Sequence, residues 1–173
     1  NISTTDRDRY TADRGKDHLP RVLSHLDYMK DKPLAETMAL VVLGHDDEDH
    51  RSEIEALEAR FAGSNFVVRP FNIMDRAGWL DVGIGPDKPH RRLRGCDNLG
   101  SRPLEHLHIT AAGKVVFCCE DYDEVHTVGD LATQTVDEVL AGDAMAKLRR
   151  WAYGIDDAPD DFICRNCLFA ITD

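Results

Sequence analysis

Residues 113–122 read GKVVFCCEDY, and this stretch joins a turn glycine, a short apolar run and two adjacent cysteines. Apolar residues recur on both sides of Gly113, at positions 104–109 and 114–118. Glycine adopts the positive φ that a tight turn requires, so the pattern predicts an antiparallel β-hairpin around Gly113. The second strand of this hairpin carries Cys118 at its end.

Four cysteines share a spacing of Cys-x21-Cys-x45-Cys-x2-Cys, and they are Cys96, Cys118, Cys164 and Cys167. Four soft thiolates suit a tetrahedral zinc ion or an iron–sulfur cluster, and the spacing does not choose between the two. The plain alternative is a set of unrelated buried thiols. Cys119 would point to the opposite face of a continuing strand, so we expect it not to be a ligand.

Upstream of the hairpin, residues 1–75 alternate strand and helix signals. Elements of this region are predicted as a strand at Asn1–Ser3, a helix at Asp17–Lys30, a strand buried on both faces at Met38–Leu43, a helix with Ile54, Leu57 and Phe61 on one face, and a strand at Phe66–Arg69 closed by Pro70. The alternation predicts parallel strands joined by crossover helices, an α/β unit.

A change in composition then separates this α/β unit from the cysteine-rich region. Glycines and prolines interrupt the segment 75–94, which predicts a domain at 1–80, a linker at 81–94 and a second domain at 95–173. Downstream of the hairpin, Thr135 and Glu138 form the pattern of a capping box, and a further helix is expected at 144–151 with Met145, Leu148 and Trp151 facing inward. The second domain is therefore predicted to be a small α+β domain.

Charge and hydropathy limit the kinds of partner that we expect this protein to bind. The chain has 32 acidic and 21 basic residues and a net charge of −11, so nucleic acid is not an expected partner. No apolar run approaches the length of a membrane span, and residues 1–14 do not have the pattern of a secretion signal. We therefore predict a cytoplasmic protein with no membrane partner.

Further motifs surround the cysteines: Gly113-x4-Cys118, the stretch Cys118–Tyr122, Val128–Leu131 and Cys164-x2-Cys167. Together they resemble the radical S-adenosylmethionine (SAM) enzymes that end in a SPASM domain or in its shortened form, the twitch domain. Since the additional cysteines of a full SPASM domain do not follow Cys167, the resemblance implies a twitch domain. It implies one auxiliary [4Fe-4S] cluster, with Cys96, Cys118, Cys164 and Cys167 as ligands.

The first half is similar to the C-terminal half of the partial (β/α) barrel of the same family. This resemblance implies that Ser3 contacts the ribose of SAM, that Arg14 pairs with its carboxylate, and that the backbones of Leu43-Gly44 and Phe71-Asn72 border its adenine. The alternatives are an ordinary polar strand end for Ser3 and a surface ion pair for Arg14.

Asp121 and Tyr122 follow the hairpin cysteine, where related enzymes can place a proton acceptor, so both are candidate catalytic residues. The alternative is that residues 120–124 form an acidic surface loop. His106 and His108 share one face of a strand and are the only histidines we keep as candidate metal ligands.

One departure limits what this chain can do alone. The Cys-x3-Cys-x2-Cys loop that holds the SAM-cleaving cluster of the family is not in this sequence. We therefore expect a missing N-terminal barrel half, in the same protein or in a separate chain, that carries SAM with a second [4Fe-4S] cluster. The intact protein would be an oxidoreductase or modifying enzyme that acts on a peptide or small-molecule substrate, with a possible electron-transfer partner. The alternatives are a non-catalytic zinc-binding interaction module with four cysteine ligands and a degenerate homologue of the family.

Overall fold

The computed structural model describes residues 1–32 and 34–173. The chain divides into two compact units, Asn1–Ile73 and Met74–Asp173. The segment 81–94, which we predicted to be a linker, lies within the second unit. There Leu93 is a buried member of the hydrophobic core.

The first unit contains three helices and two strands: α1 (Arg7–Arg14), α2 (Leu19–Asp31), β1 (Met38–Gly44), α3 (Glu48–Arg60) and β2 (Phe66–Asn72). Strands β1 and β2 pair in parallel, with Met38 opposite Phe66 and Gly44 opposite Asn72. Both strands therefore end at the same edge. This pairing confirms the predicted strand–helix–strand order, since α3 connects the two strands.

Local signals explain where these helices begin and end. The Asp47 carboxylate accepts a hydrogen bond from the backbone of His50 and caps α3, as the acidic loop before it predicts. Helix α1 was not predicted, because its sequence is polar and buries only Tyr10. It nevertheless has two strong end signals: the Asp6 side chain caps its first turn, and Gly15 ends it at φ 70°.

Three details of the first unit differ from the predictions. The expected strand at residues 1–3 is reduced to a bridge between Ile2 and Val42. Strand β2 continues through Pro70, which is tolerated because proline lacks only the N–H donor and this strand borders just one partner. Strand β1 buries one face, that of Leu40, Val42 and Gly44, rather than both.

The described residues form short sheets and no closed barrel. The first unit is a two-stranded parallel sheet with helices, and its core contains Ile2, Leu40, Val42, Leu57 and Phe61. The comparison with half of a (β/α) barrel is therefore not confirmed by the fold.

The second unit is built from short elements: β3 (Gly95–Cys96), α4 (Arg102–Glu105), β4 (His108–Ile109), β5 (Lys114–Val116), β6 (Thr127–Asp130), α5 (Val136–Leu140), α6 (Asp143–Ala152), a 3₁₀ helix (Ile163–Asn166) and β7 (Ala170–Ile171). Strands β4 and β5 form the predicted hairpin, and Gly113 in its turn has φ 80°. Strand β6 adds to the free edge of β5.

Three further predictions can be compared with this unit. The strand expected from residue 104 was wrong at its start, because Leu104 and Glu105 belong to helix α4. The capping box of Thr135 and Glu138 is confirmed at the start of α5. Helix α6 buries Met145 and Leu148 as predicted, while Trp151 is only partly buried at the edge of the core.

No helix within residues 1–32 and 34–173 combines the length and the apolar character that crossing a bilayer requires.

Candidate metal centre

Pairing of β3 with β7 places Cys96 beside the C-terminal segment. Cys96 lies opposite Ala170 in this antiparallel pair, and the Asp97 N–H donates to the Phe169 carbonyl over 2.9 Å. Ala170 is only three residues after Cys167. The pairing therefore brings the first and the last of the four cysteines into one region, although they are far apart in sequence.

The Cys-x2-Cys segment is formed by the 3₁₀ helix and is held by Arg165, which lies inside the motif. The Arg165 guanidinium is buried and donates to the carbonyls of His90 and Arg91, at 2.8 Å each, and to that of Pro159 at 2.9 Å. The His90 ring contacts the Cys167 carbonyl at 2.9 Å. These contacts fix the backbone that carries Cys164 and Cys167.

Cys118 reaches the same region from the hairpin. The Phe117 N–H donates to the His126 carbonyl, and the His126 ring accepts from the Ile163 N–H over 3.3 Å. Cys118 is buried in the core, with Cys164 packed against the same cluster of side chains. Three separate parts of the unit therefore supply the four predicted ligands.

Burial affects the acidity of the two cysteines in the Cys-x2-Cys segment. It raises the pKa of Cys164, with a further contribution from the charges of Cys167 and Cys96. It also raises the pKa of Cys167 to about 12, where the charges of Glu120 and Cys96 act in the same direction. Thiols must be deprotonated to bind metal, so binding at this site would release protons and depend on pH.

Cys119 differs from the four predicted ligands. It accepts a hydrogen bond from the Cys118 thiol, which lowers the pKa of Cys119 to about 7 and raises that of Cys118. Cys119 is half-buried, and its thiol also lies 3.8 Å from the Glu120 carboxylate. The prediction that Cys119 points to the face opposite Cys118 was therefore wrong, because the chain does not continue as a strand there and the two thiols are within hydrogen-bonding reach.

The four predicted ligands are all cysteines, and cysteine thiolates are the ligands that hold iron–sulfur clusters. All five cysteines are free thiols, and Cys164 lies within electrostatic range of the other three predicted ligands. Within the described part of the chain, no group of three or more His, Cys, Asp or Glu side chains is already arranged to hold a metal ion. The fit therefore depends on thiolate chemistry and proximity rather than on a preformed coordination geometry.

The predicted catalytic pair, Asp121 and Tyr122, follows the hairpin cysteines. The Asp121 carboxylate is buried and accepts from the N–H groups of Val125, at 3.0 Å, and His126, at 2.7 Å. It therefore closes the loop 121–126. Its use as a base remains a prediction, and the structure shows it in a positioning role.

Tyr122 belongs to an exposed aromatic pair. Its ring stacks on Trp79 with centroids 4.8 Å apart, and the Trp79 indole donates to Asp123 over 2.9 Å. Both rings line a cavity of about 470 Å³ whose wall also contains Asp121 and Asp161. Tyr122 is thus accessible from a cavity, as a substrate-facing residue must be.

An ion pair includes Glu120, which is one of the residues that line this cavity. The carboxylate of Glu120 is buried and pairs with the Arg76 guanidinium at 3.2 Å. Arg76, Ala77 and Gly78 are consecutive residues with positive φ, at 57°, 56° and 84°. Such a left-handed run is unfavourable for residues other than glycine, so the contacts of Arg76 hold it in place.

The predicted SAM-contacting residues lie in the first unit, mostly at one strand edge. Leu43 is opposite Phe71, and Gly44 is opposite Asn72, where β1 and β2 end. Ser3 follows the residue that bridges to Val42, and its hydroxyl is enclosed with no hydrogen-bond partner among the described residues. These positions meet at the carboxyl ends of parallel strands, where ligands commonly bind in α/β sheets.

Arg14, unlike these residues, does not lie at the end of a β-strand. It is the exposed last residue of α1, and none of the ion pairs between described residues includes it. Its contact with a carboxylate remains a prediction.

Gly44 has a structural reason to be glycine. The buried His50 ring lies against it, and an added Cβ at Gly44 would lie 2.3 Å from the ring. His50 contacts the Val42 carbonyl through Nε2 at 3.0 Å and accepts from the Asp46 N–H through Nδ1. The ring therefore fixes the loop that follows β1.

Several positioning residues were not predicted from sequence: His90, His126, Arg165 and the pair Arg76–Glu120. Two of them carry a visible signal, because Arg165 lies between the two cysteines of Cys-x2-Cys and Glu120 lies within the motif Cys118–Tyr122. His106 and His108 do share a face, with stacked rings 6.1 Å apart, as the strand period predicts.

Comparison with known proteins finds one family that resembles part of the second unit. Residues 96–168 match the family model of SPASM, an iron-sulfur cluster-binding domain, and the match includes all four predicted ligands. No curated protein and no solved structure matches the chain significantly. The match over residues 96–168 is consistent with the C-terminal SPASM domain of a radical SAM enzyme.

Proposed function

We propose that this chain is the C-terminal part of a radical SAM enzyme and that its second unit binds one auxiliary [4Fe-4S] cluster. The observation that carries the proposal is the SPASM match over 96–168, which contains the four neighbouring thiols. Cys96, Cys118, Cys164 and Cys167 are the proposed ligands. Cys119 is excluded because it lies beside Cys118 and would compete for the same position.

Each predicted residue has a defined task in this proposal. The four cysteines supply thiolates, while Arg165 and His90 hold the Cys-x2-Cys backbone in place. A fully cysteine-ligated cluster would supply one-electron transfer to or from a substrate, or structural support. Asp121 and Tyr122 border the cavity beside this region, where Tyr122 is exposed to a substrate and Asp121 orients the loop.

The first unit would complete the SAM site of the intact enzyme. Ser3, Leu43, Gly44, Phe71 and Asn72 lie at one strand edge, and the enclosed, unpartnered hydroxyl of Ser3 supports a contact with a ribose hydroxyl. Arg14 is the proposed partner of the SAM carboxylate.

The SAM-cleaving cluster would come from an N-terminal barrel half, and the substrate would be a peptide or a small molecule. We place the intact enzyme in the cytoplasm.

Metal analysis of the anaerobically reconstituted chain tests the cluster. We expect about four iron and four acid-labile sulfide per chain, with visible absorption from thiolate-bound iron. About one zinc per chain without sulfide would contradict the proposal, because four thiolates would then form a closed structural zinc site. That result would support a zinc-binding interaction module instead.

The radical SAM assignment has a separate test. The coding sequence upstream of Asn1 is expected to encode a Cys-x3-Cys-x2-Cys loop, or a partner chain is expected to carry it. The protein that contains both parts should then cleave SAM reductively. If an intact gene lacks the loop and no partner restores SAM cleavage, the chain belongs to a degenerate homologue.

A further inference from the structure

Four polar side-chain atoms without partners fall within one short stretch of the second unit. Arg102 Nε, His106 Nδ1, His108 Nε2 and Thr110 Oγ1 are enclosed and have no hydrogen-bond partner among the described residues. Buried polar atoms in native proteins nearly always have a partner, so such a group needs an explanation. A ligand that accepts hydrogen bonds would provide one.

Local geometry brings these side chains together. His106, His108 and Thr110 alternate along the chain at and beyond β4, so they lie on one face, and the two histidine rings stack with an interplanar angle of 8°. His108 and Thr110 line a cavity of about 430 Å³, and its lining also includes Cys118 and Cys119. We call this cavity, with Arg102 and His106, the 102–110 pocket.

Arg102 lies beside His106 at helix α4. The His106 N–H donates to the Arg102 carbonyl over 3.1 Å and closes this helix, so the two residues are neighbours. The enclosed Nε of Arg102 has no partner among the described residues, like the ring nitrogens of His106 and His108.

Arg102 has no ion-pair partner in the part of the chain that the structure describes. Asp121 lines the cavity, and both of its oxygens accept from the backbone of Val125 and His126. Glu105 accepts from the Ser101 N–H. Neither carboxylate forms an ion pair with the Arg102 guanidinium, which leaves its N–H groups as donors for a ligand.

We propose that the 102–110 pocket binds an oxyanion, a carboxylate or phosphate group of a small molecule. A guanidinium N–H and a hydroxyl are donors that an oxyanion accepts from, and each imidazole presents an N–H in one tautomer. A metal cation is disfavoured, because Arg102 would repel it. The pocket uses none of the thiols as donors, so this inference does not depend on the iron–sulfur proposal.

Calorimetric titration of the full 173-residue chain with inorganic phosphate and, separately, with acetate tests the pocket. We expect saturable binding of at least one anion, with shifts in the ring signals of His106 and His108 in spectra recorded alongside. Binding of phosphate alone identifies a phosphoryl group, binding of acetate alone identifies a carboxylate, and binding of both supports the shared chemistry.

Variants distinguish anion binding in the pocket from general attraction of anions to the basic residues of the protein. Arg102→Gln is expected to bind about tenfold more weakly, because a charge-assisted hydrogen bond is lost. Thr110→Val removes one donor with little change in shape and should also weaken binding. Arg69→Gln is the matched control, since Arg69 is exposed on β2 in the other unit. The proposal is overturned if neither anion saturates, if the histidine signals do not shift, or if Arg69→Gln weakens binding as much as Arg102→Gln.

Discussion

The two units of the chain are held together in different ways. The first unit contains two strands of 7 residues and two helices of 13 residues around one apolar core. The second unit has strands of two to four residues, and its loops are connected by long-range hydrogen bonds that the Arg165 guanidinium donates and that the His126 ring accepts. Short strands offer few ladder hydrogen bonds, so the second unit has more to gain from bound metal.

The largest effect is expected from the cysteines of the second unit. Cys164→Ser and Cys167→Ser should each remove bound metal, because the binding energy of a metal site, on the order of 10 kcal/mol, is also folding energy. Hydrogen exchange should then show loss of protection within residues 74–173 and little change within 1–73. Cys119→Ser is the control and should retain protection in both units. Equal loss of protection in both units would contradict the comparison.

Removal of a buried side chain from each core tests whether the two units unfold separately. Phe162 is fully buried and contacts Phe117 and Trp151, so Phe162→Ala should lower the unfolding free energy of the second unit by about 3–5 kcal/mol. Leu57→Ala, in the first core, should cost about 2–5 kcal/mol there. Denaturation followed separately in each unit by hydrogen exchange checks both values. A Leu57→Ala chain that loses its metal would argue against separate cores.

A pH effect is expected in the first unit. Burial raises the pKa of Glu53, but hydrogen bonds from Thr4 and Thr5 outweigh this effect, and the pKa lies below its usual value. A carboxyl with a depressed folded pKa stabilises the protein above its unfolded pKa, and this stabilisation is lost as the pH falls through the folded value. The first unit should therefore lose stability between about pH 5 and pH 2, and Glu53→Gln should lose less over that range. An identical acid profile for Glu53→Gln would contradict this role.

The smallest expected effects come from helix caps, one in each unit. Thr135→Ala removes the hydrogen bond from the Glu138 N–H to the Thr135 hydroxyl, which is the side-chain cap of α5, and Asp47→Ala removes the side-chain cap of α3. Each should cost about 1 kcal/mol of unfolding free energy, measured by chemical denaturation. Thr133→Ala is a useful control near α5, because its hydroxyl makes only a long contact, of 3.3 Å, with the Asp130 carbonyl. A loss at Thr133 equal to that at Thr135 would show that the cap is not the cause.

The difference between the long elements of the first unit and the short elements of the second also explains how much of the fold could be predicted from sequence. Strand β1 is a continuous apolar run, and helices α2 and α3 carry a clear apolar period, so their type and approximate bounds were predictable. Helix α1 was missed because it buries little more than Tyr10, although Asp6 and Gly15 mark its ends. Strands β6 and β7 are too short for a period to be visible.

The start of the hairpin shows how an apolar residue can mislead. Leu104 suggested a strand, yet it is exposed, and Pro103 beside it is typical of the first turn of a helix. In the candidate site, cysteine spacing was enough to propose the four ligands. Contacts such as Arg165 with His90 were not predictable, because they join positions 75 residues apart that only the tertiary fold brings together.

The most direct test of the account is the iron and sulfide content of five single variants, one for each cysteine, purified and reconstituted under the same anaerobic conditions. The account predicts that Cys119→Ser retains about four iron and four sulfide per chain, as expected for one cluster. Serine at Cys96, Cys118, Cys164 or Cys167 should reduce that content strongly. If Cys119→Ser loses the iron while Cys118→Ser retains it, the ligand assignment is contradicted, and the adjacent thiol is the ligand.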